Sequence, residues 1–296
     1  MNVQLMSNLK KLRLSGLAST LEVRLAEATG NQLNHLEFLE LIVNDELAIR
    51  DDRAIARRIK KAGFRELKSL EDFDFSFNPA IKRRQIMDLA TGHFIREKTD
   101  LLILGPPGVG KSHLVQAIGH QAAKTGFTVL YRSIFDTVTE LIQAENFGDN
   151  SKTMNRYLKV DLLIIDDMGI KKLPKQSGEY LFEIIMRRYE LRSTIMTSNR
   201  PLEEWGKLIG DVPTATAILD RILHNAEIIQ ITGKSYRLKD RGRKKEETCK
   251  KEKKHHDDDA RTLTWTVLTR SAVDGFNPTG GIGLLGRHPT YCPTGD

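Results

Sequence analysis

Cysteine and long apolar runs are what this 296-residue sequence has least of. Its two cysteines, Cys249 and Cys292, both lie in the C-terminal tail, so neither a disulfide framework nor a thiolate metal site is predicted, and a reducing, cytoplasmic compartment is expected. No run of about 18 apolar residues occurs, which argues against a transmembrane helix. The N-terminus mixes polar residues among its leucines and offers no secretory signal. A hydrophobic fraction of 40% beside a charged fraction of 29% is typical of a globular protein.

Acidic residues are outnumbered, and the formal net charge of +7 is unevenly distributed. Residues 1–70 hold twelve Lys and Arg against nine Asp and Glu, and residues 239–254 hold nine against four. Basic charge on both sides of the central region favours a polyanionic partner, most plausibly nucleic acid. For charge alone, a solubilising surface is the alternative.

A glycine-rich motif, GPPGVGKS at residues 105–112, stands between an apolar run at 101–104 and a helical pattern at 113–124. This strand-to-helix context distinguishes a phosphate-binding loop from an incidental glycine-rich turn. Glycines let backbone N–H groups approach phosphate oxygens, and the following helix adds the positive end of its dipole. Lys111 is expected to reach the β- and γ-phosphates, and the Ser112 hydroxyl suits Mg²⁺. The sequence therefore predicts that a nucleoside triphosphate is bound by Gly105, Pro106, Pro107, Gly108, Val109, Gly110, Lys111, Ser112 and His113.

Two other predicted strands end in polar residues. The apolar residues 162–165 precede Asp166, a candidate Mg²⁺ ligand, and Asp167, which would orient or deprotonate the attacking water. The strand at 193–197 leads to Asn199, which should emerge at the same sheet edge and help to position that water. The plainer alternatives are a polar cap at a strand end for the two acids, and a turn-forming role for Asn199.

Strand and helix patterns alternate through the middle of the chain, which predicts an α/β fold with a parallel sheet covered on both faces. Residues 1–65 have helical periodicity with a break or bend at Ser15-Gly16, and they could form a DNA-binding or docking module. The predicted domains are residues 1–69 (helical), 70–238 (nucleotide-binding) and 239–296 (a basic, then Gly/Thr/Pro-rich tail without a core). The predicted strands are 101–104, 127–131, 161–165, 193–197 and 227–231.

The motifs GPPGVGKS, LLIIDD, TSN and LDRILH resemble those of the AAA+ ATPases. Through LKKLRLSGLASTLE near the N-terminus and GKSYRL at 233–238, the chain is most similar to the IstB-like helper proteins of IS21-type transposition, which are related to DnaC-type helicase loaders. The resemblance implies an AAA+ P-loop NTPase fold with a five-stranded parallel sheet flanked by helices and a small N-terminal helical domain. It also implies that the usual C-terminal lid domain is missing, because nothing after residue 238 resembles one.

The same resemblance implies a homo-oligomer with ATP at subunit interfaces, where an arginine of one subunit completes its neighbour's site. Arg221 matches that arginine finger, although a surface arginine paired with Asp220 is the alternative. Many AAA+ proteins carry Glu where this chain has Asp167, whose side chain is one methylene group shorter. In this group the helices after the second strand line the face that tracks DNA. We therefore expect two sets of basic residues to contact DNA: Arg50, Arg53, Arg57 and Arg58, and Lys152, Arg156 and Lys159. The plainer alternative is that these residues form a solvated face.

The favoured interpretation is an ATP-dependent transposition helper of the bacterial cytoplasm. Such a protein assembles with ATP on duplex DNA with little sequence preference, recruits or stimulates a transposase, and hydrolyses ATP. The alternative is a DnaC-like loader that delivers a replicative helicase. A metabolic P-loop kinase is disfavoured, because no substrate-binding lid is visible and the chain ends are basic.

Overall fold

Three helices form the N-terminal part of the computed structural model, which describes residues 3–170, 173–174, 176–233 and 235–237. They are α1 (Val3–Lys11), α2 (Ser15–Gly30) and α3 (His35–Ala62). The break predicted at Ser15-Gly16 is confirmed, since α2 begins there. Buried Glu46 of α3 accepts hydrogen bonds from the backbone N–H groups of Gly16 and Leu17 at 2.7 and 2.9 Å. It thereby satisfies free donors at the start of α2 and holds the two helices together.

The long helix α3 has a distinct signal at each end. At its start, Asn34 accepts from the N–H of Glu37, while the Glu37 carboxylate accepts from the N–H of Asn34, which is a capping box. At its end, Gly63 adopts the left-handed conformation with φ 72°. With 28 residues, α3 spans about 42 Å at about 1.5 Å per residue, so it links the N-terminal helices to the rest of the chain.

A five-stranded sheet forms the centre of the fold. Its strands are β1 (Asp100–Leu104), β2 (Val129–Ser133), β3 (Leu162–Met168), β4 (Ser193–Ser198) and β5 (Ala226–Gln230). They are hydrogen-bonded in the order β2-β3-β4-β1-β5, and every pairing is parallel. The predicted five-stranded parallel sheet is thus confirmed, with β2 beginning two residues later than expected. Strand β4 lies between β1 and β3, which places the ends of all three strands at one edge.

The helices that follow cover both faces of this sheet. They are α4 (Arg83–Ala90), α5 (His93–Arg96), α6 (Lys111–Lys124), α7 (Ile134–Asn146), α8 (Asn150–Lys159), α9 (Ser177–Arg188), α10 (Trp205–Ile209) and α11 (Val212–His224), with a 3-10 turn at Leu202–Glu204. Alternate strand residues face opposite sides. In β1, Leu101 and Ile103 belong to the core that includes α4 and α6, whereas Leu102 belongs to the core that includes α7 and α9.

The flanked parallel sheet and the loop between β1 and α6 are the predicted AAA+ P-loop fold class. The boundary proposed between residues 69 and 70 stays a prediction. The proposed tail at 239–296 and the expected lack of a lid after residue 238 fall outside the described residues. Within the described ranges, no helix is long and apolar enough to cross a membrane.

Candidate nucleotide-binding site

The loop that joins β1 to α6 has the backbone shape that its glycines permit. Gly108 and Gly110 adopt left-handed conformations with φ 85° and 100°, and Gly110 is the N-cap of α6. A Cβ atom at Gly108 would collide with the side chain of Ser235. Val109, which lies between these two glycines in sequence, is buried in the core. The Tyr236 N–H donates to the Gly108 carbonyl oxygen at 2.9 Å. The loop is therefore fixed from both sides while α6 presents its N-terminus.

Lys111, the first residue of α6, is buried at the centre of this loop. Its ammonium group donates to the carbonyl oxygens of Gly105 and Pro106, both at 2.8 Å, and to Asn199 Oδ1 at 2.6 Å. Burial lowers the pKa of Lys111 to about 8, and the negative charges of Asp166 and Asp167 oppose that shift. The end of β4 thus brings Asn199 to the P-loop lysine, a contact that the sequence analysis did not name.

Asp166 is fully buried at the end of β3, where both of its carboxylate oxygens are hydrogen-bonded. Tyr131 of β2 donates to Oδ2 at 2.6 Å, and Thr197 of β4 donates to Oδ1. The Asp167 N–H also donates to Oδ1, at 2.9 Å. Three donors therefore fix the orientation of a charge that burial would otherwise destabilise. Sequence reasoning missed Tyr131 and Thr197, whose only signal was a polar group near the end of each neighbouring strand.

Asp167 lies where the backbone of β3 is irregular. Its φ is 67°, and the pairing of β3 with β4 shifts register between Ile165 and Met168. The side chain is 20% exposed, and its Oδ2 accepts from Arg65 Nη1 at 2.9 Å. Burial and the neighbouring Asp166 raise the pKa of Asp167, whereas Arg65 opposes that rise. Sequence reasoning also missed Arg65, which belongs to no motif.

The oxygen donors at this edge fit a Mg²⁺–nucleotide complex. Ser112 follows Lys111 at the start of α6, and Asp166 supplies a fixed carboxylate. Mg²⁺ in nucleotide sites takes one or two protein oxygens and completes its shell with phosphate oxygens and water. The pair Ser112 and Asp166 therefore suits a metal that arrives with its nucleotide.

Aromatic residues and a buried amide lie on the other side of the loop. Phe73 contacts the His113 ring edge-on at 5.2 Å between centroids, and His113 Nε2 lies 3.0 Å from the Ser69 carbonyl oxygen. Asn78 is buried, and its Nδ2 has no hydrogen-bond partner among the described residues. A Cβ atom at Gly233 would lie 3.0 Å from that amide. A buried unpaired donor costs free energy, so this amide suits an acceptor on a ligand.

Arg221 lies apart from this cluster, on α11. It forms an ion pair with Asp220, and its guanidinium carbon lies 5.9 Å from the centroid of the Tyr189 ring. Its side chain is 38% exposed, so it is accessible to a neighbouring molecule. Any role of Arg221 in a nucleotide site requires a second subunit, and the arginine finger stays a prediction.

The basic residues predicted to contact DNA occupy two helices. On α8, Lys152, Arg156 and Lys159 are exposed at spacings of four and three residues, which places them on one face. Arg156 also pairs with Glu140 of α7. On α3 the four residues differ in their surroundings: Arg57 is exposed, Arg50 pairs with Glu46, Arg53 Nη1 donates to Ser15 Oγ, and Arg58 Nε donates to the Ala123 carbonyl. The DNA contacts stay predictions.

Comparison with known proteins places the chain in a family. The family model for the IstB-like ATP binding protein matches residues 7–244. The ATP-binding protein of insertion sequence IS5376 from Geobacillus stearothermophilus is 36% identical over 237 residues, which are 80% of this chain and 94% of that protein. The ATP-binding protein of insertion sequence IS21 from Pseudomonas aeruginosa is 35% identical over 233 residues, 79% of this chain and 88% of that protein.

Among solved structures, the DnaC helicase loader is 25% identical with a TM-score of 0.44, covering 50% of this chain and 86% of that one. The structure of DnaI is 24% identical with a TM-score of 0.48, covering 56% of this chain and 91% of that one. The family model spans most of the described residues, and the two insertion-sequence relatives align with about four fifths of the chain. The chain belongs to the family of IstB-like ATP-binding proteins.

Proposed function

We propose that this chain is an ATP-dependent DNA-binding transposition helper, which assembles on DNA with ATP, recruits or stimulates a transposase, and hydrolyses ATP. The observation that carries the proposal is the meeting of Lys111, Asp166, Asp167 and Asn199 at one sheet edge. The insertion-sequence relatives support the transposition context.

Binding of ATP would use both sides of the P-loop. Lys111 and the backbone N–H groups at the start of α6 would hold the phosphates, while Ser112 and Asp166 would hold Mg²⁺. The metal would neutralise charge on the transferring phosphoryl group. The buried Asn78 amide and the nearby aromatic rings are suited to the base, because they offer a hydrogen-bond donor and apolar faces.

Hydrolysis would use Asp167 and Asn199. Water attacks the γ-phosphorus, the bond to the ADP oxygen breaks, and the Asp167 carboxylate accepts the proton of the water. Its largely buried position favours this role, because burial raises the pKa of Asp167 toward the working pH. Asn199 lies within hydrogen-bond distance of Lys111 and would help to position the water. The positive guanidinium of Arg221 from an adjacent subunit would stabilise the negative charge on the transferring phosphoryl group.

DNA would bind through the exposed basic side chains of α8 and α3. Neutralised phosphates release counterions, so the logarithm of the affinity should fall linearly with the logarithm of the salt concentration. ATP would be required because only the assembled form aligns many weak patches on one duplex. The pairing of Arg156 with Glu140 predicts that its contribution is smaller than those of Lys152 and Lys159.

The central experiment compares Asp167→Asn with Lys111→Ala and the surface control Asp149→Asn. Asp167→Asn should keep ATP binding and reduce hydrolysis by about 10²- to 10⁴-fold, since it removes only the proton acceptor. Asp149 is an exposed aspartate at the start of α8, and its substitution should change neither quantity. Wild-type turnover in folded Asp167→Asn would contradict the assignment of the base.

DNA binding is tested by fluorescence anisotropy on a labelled duplex across a salt series, with and without ATP. Replacement of Lys152 and Lys159 by Ala should lower the log–log salt slope by about 0.9 for each phosphate that is no longer neutralised. Replacement of the exposed Arg187 on α9 is the matched control. A salt-independent affinity would contradict the DNA interface. Capture of a replicative helicase instead of a transposase would identify a helicase loader.

A further inference from the structure

Arg65 connects the end of the N-terminal helices to the proposed catalytic carboxylate, and its neighbours fix its position. Gly63 ends α3, and a Cβ atom there would collide with the guanidinium of Arg132. Phe64 packs against the Tyr131 ring at 6.1 Å between centroids. The Glu66 N–H donates to Gln116 Oε1 on α6 at 3.1 Å. Arg65 is therefore presented by a segment that is anchored on both sides.

The guanidinium of Arg65 is shared between two carboxylates. Nη1 lies 2.9 Å from Asp167 Oδ2, and Nη2 lies 3.5 Å from Oδ2 of Asp136, near the start of α7. The Arg65 side chain is 51% exposed, whereas that of Asp167 is 20% exposed. A half-exposed cation thus covers a largely buried carboxylate. The guanidinium therefore lies at the surface and not within the core.

This ion pair acts against the chemistry expected of Asp167. Arg65 Nη1 donates to Asp167 Oδ2 at 2.9 Å, so a charged donor engages one oxygen of the proposed base. A general base needs a free oxygen within reach of the proton that it takes. An oxygen that accepts from the guanidinium is not free to accept the proton of the attacking water. The contact therefore slows proton transfer from water.

We propose that Arg65 is a positioning residue that restrains Asp167, so that ATP hydrolysis is fast only when this ion pair opens. The proposal rests on the role of Asp167 proposed above. It gives the three N-terminal helices a direct link to the nucleotide site, because Arg65 lies three residues beyond the end of α3. A purely structural arginine would tie the same segment to the sheet without changing the rate of chemistry.

The test uses the full chain with saturating Mg²⁺ and ATP, with and without duplex DNA. Arg65→Ala should raise the rate of hydrolysis without DNA by about two- to fivefold, the size expected for a partly exposed ion pair. Arg65→Gln, which keeps length and a hydrogen-bond donor but not the charge, should change the rate in the same direction if Arg65→Ala folds poorly. Arg187→Ala is the matched control, because Arg187 is 53% exposed and pairs with Glu183 on α9. It should leave the rate unchanged.

One readout separates a positioning role from a structural one. In an Asp167→Asn background, Arg65→Ala should cause no further change. An unchanged or lower rate in folded Arg65→Ala and Arg65→Gln would overturn the proposal, as would an equal rise in the Asp167→Asn background. Wild-type turnover in Asp167→Asn alone would instead show that the proposed base is wrong, and the role of Arg65 would fall with it.

Discussion

Tyr131→Phe tests whether the buried setting of Asp166 serves a metal-binding carboxylate. Tyr131 is buried, and its hydroxyl donates to Asp166 Oδ2 at 2.6 Å. The substitution removes one oxygen atom and keeps the ring that packs against Phe64. It therefore takes one hydrogen bond from the carboxylate with little change in packing.

The expected loss of stability follows from the bonds that remain. A hydrogen bond to a charged group contributes about 1.5–3 kcal/mol. Asp166 keeps its bonds from Thr197 and from the Asp167 N–H, so we expect the lower part of that range. A loss of about 1.5–2 kcal/mol corresponds to a fall in Tm of about 3–8 °C for a domain of this size. Loss of a group that orients a metal ligand typically weakens metal binding by about 10- to 100-fold.

Tyr157→Phe is the matched control. Tyr157 is equally buried, and its hydroxyl donates to Glu140 Oε2 at 2.6 Å. Both substitutions should lower the midpoint of urea unfolding by similar amounts, since each removes a tyrosine hydroxyl group that donates a hydrogen bond to a carboxylate. Only Tyr131→Phe should raise the Mg²⁺ concentration that gives half-maximal binding of a labelled ATP analogue. Equal Mg²⁺ dependence in the two variants would refute the assignment of Asp166 as a metal ligand.

Two further predictions concern the charges that meet the phosphates. Lys111→Ala should abolish ATP binding in a folded protein. In the wild type, the affinity for ATP should fall by up to about tenfold per pH unit as the pH rises through about 8, because the buried ammonium loses its proton there. Titration with labelled ATP at several pH values measures both effects, and an affinity that responds to neither change would contradict the role of Lys111. Arg221→Ala should bind ATP normally but fail to hydrolyse it. Mixing this variant with Lys111→Ala should restore part of the activity, because each variant supplies the half-site that the other lacks. Mixtures without any recovery would argue against an arginine acting between subunits.

The parts of the fold that the sequence predicted are those with a local signal. Each strand is a short apolar run, and the P-loop glycines are adjacent in sequence. Asn199 was also expected at the same edge as Asp167, because parallel strands place their carboxyl ends at one edge of the sheet. That rule gives an edge but not a hydrogen bond. It could not indicate that Asp166 would be held by Tyr131, which in the sequence is the last residue of an apolar run.

Contacts between distant segments needed the three-dimensional structure. Strand order decides that β2 and β4 flank β3, and this order brings Tyr131 and Thr197 to Asp166. No local pattern encodes that neighbourhood. The buried amide of Asn78 is a similar case, because an Asn-Pro pair is typical of an ordinary helix start or turn. Only its burial without a hydrogen-bond partner among the described residues distinguishes it from a turn residue.

Arg65 shows how a functional contact can arise outside any motif. It is 102 residues from Asp167 in sequence, and it lies between a helix and a linker where arginine is ordinarily a surface residue. The contact depends on Gly63, which lets α3 end close to Arg132, and on Phe64, which anchors the next residue beside Tyr131. Tyr131 in turn holds Asp166. One buried tyrosine therefore contacts both the anchor of Arg65 and the proposed metal ligand. A change in the position of α3 should consequently reach both carboxylates of β3 together.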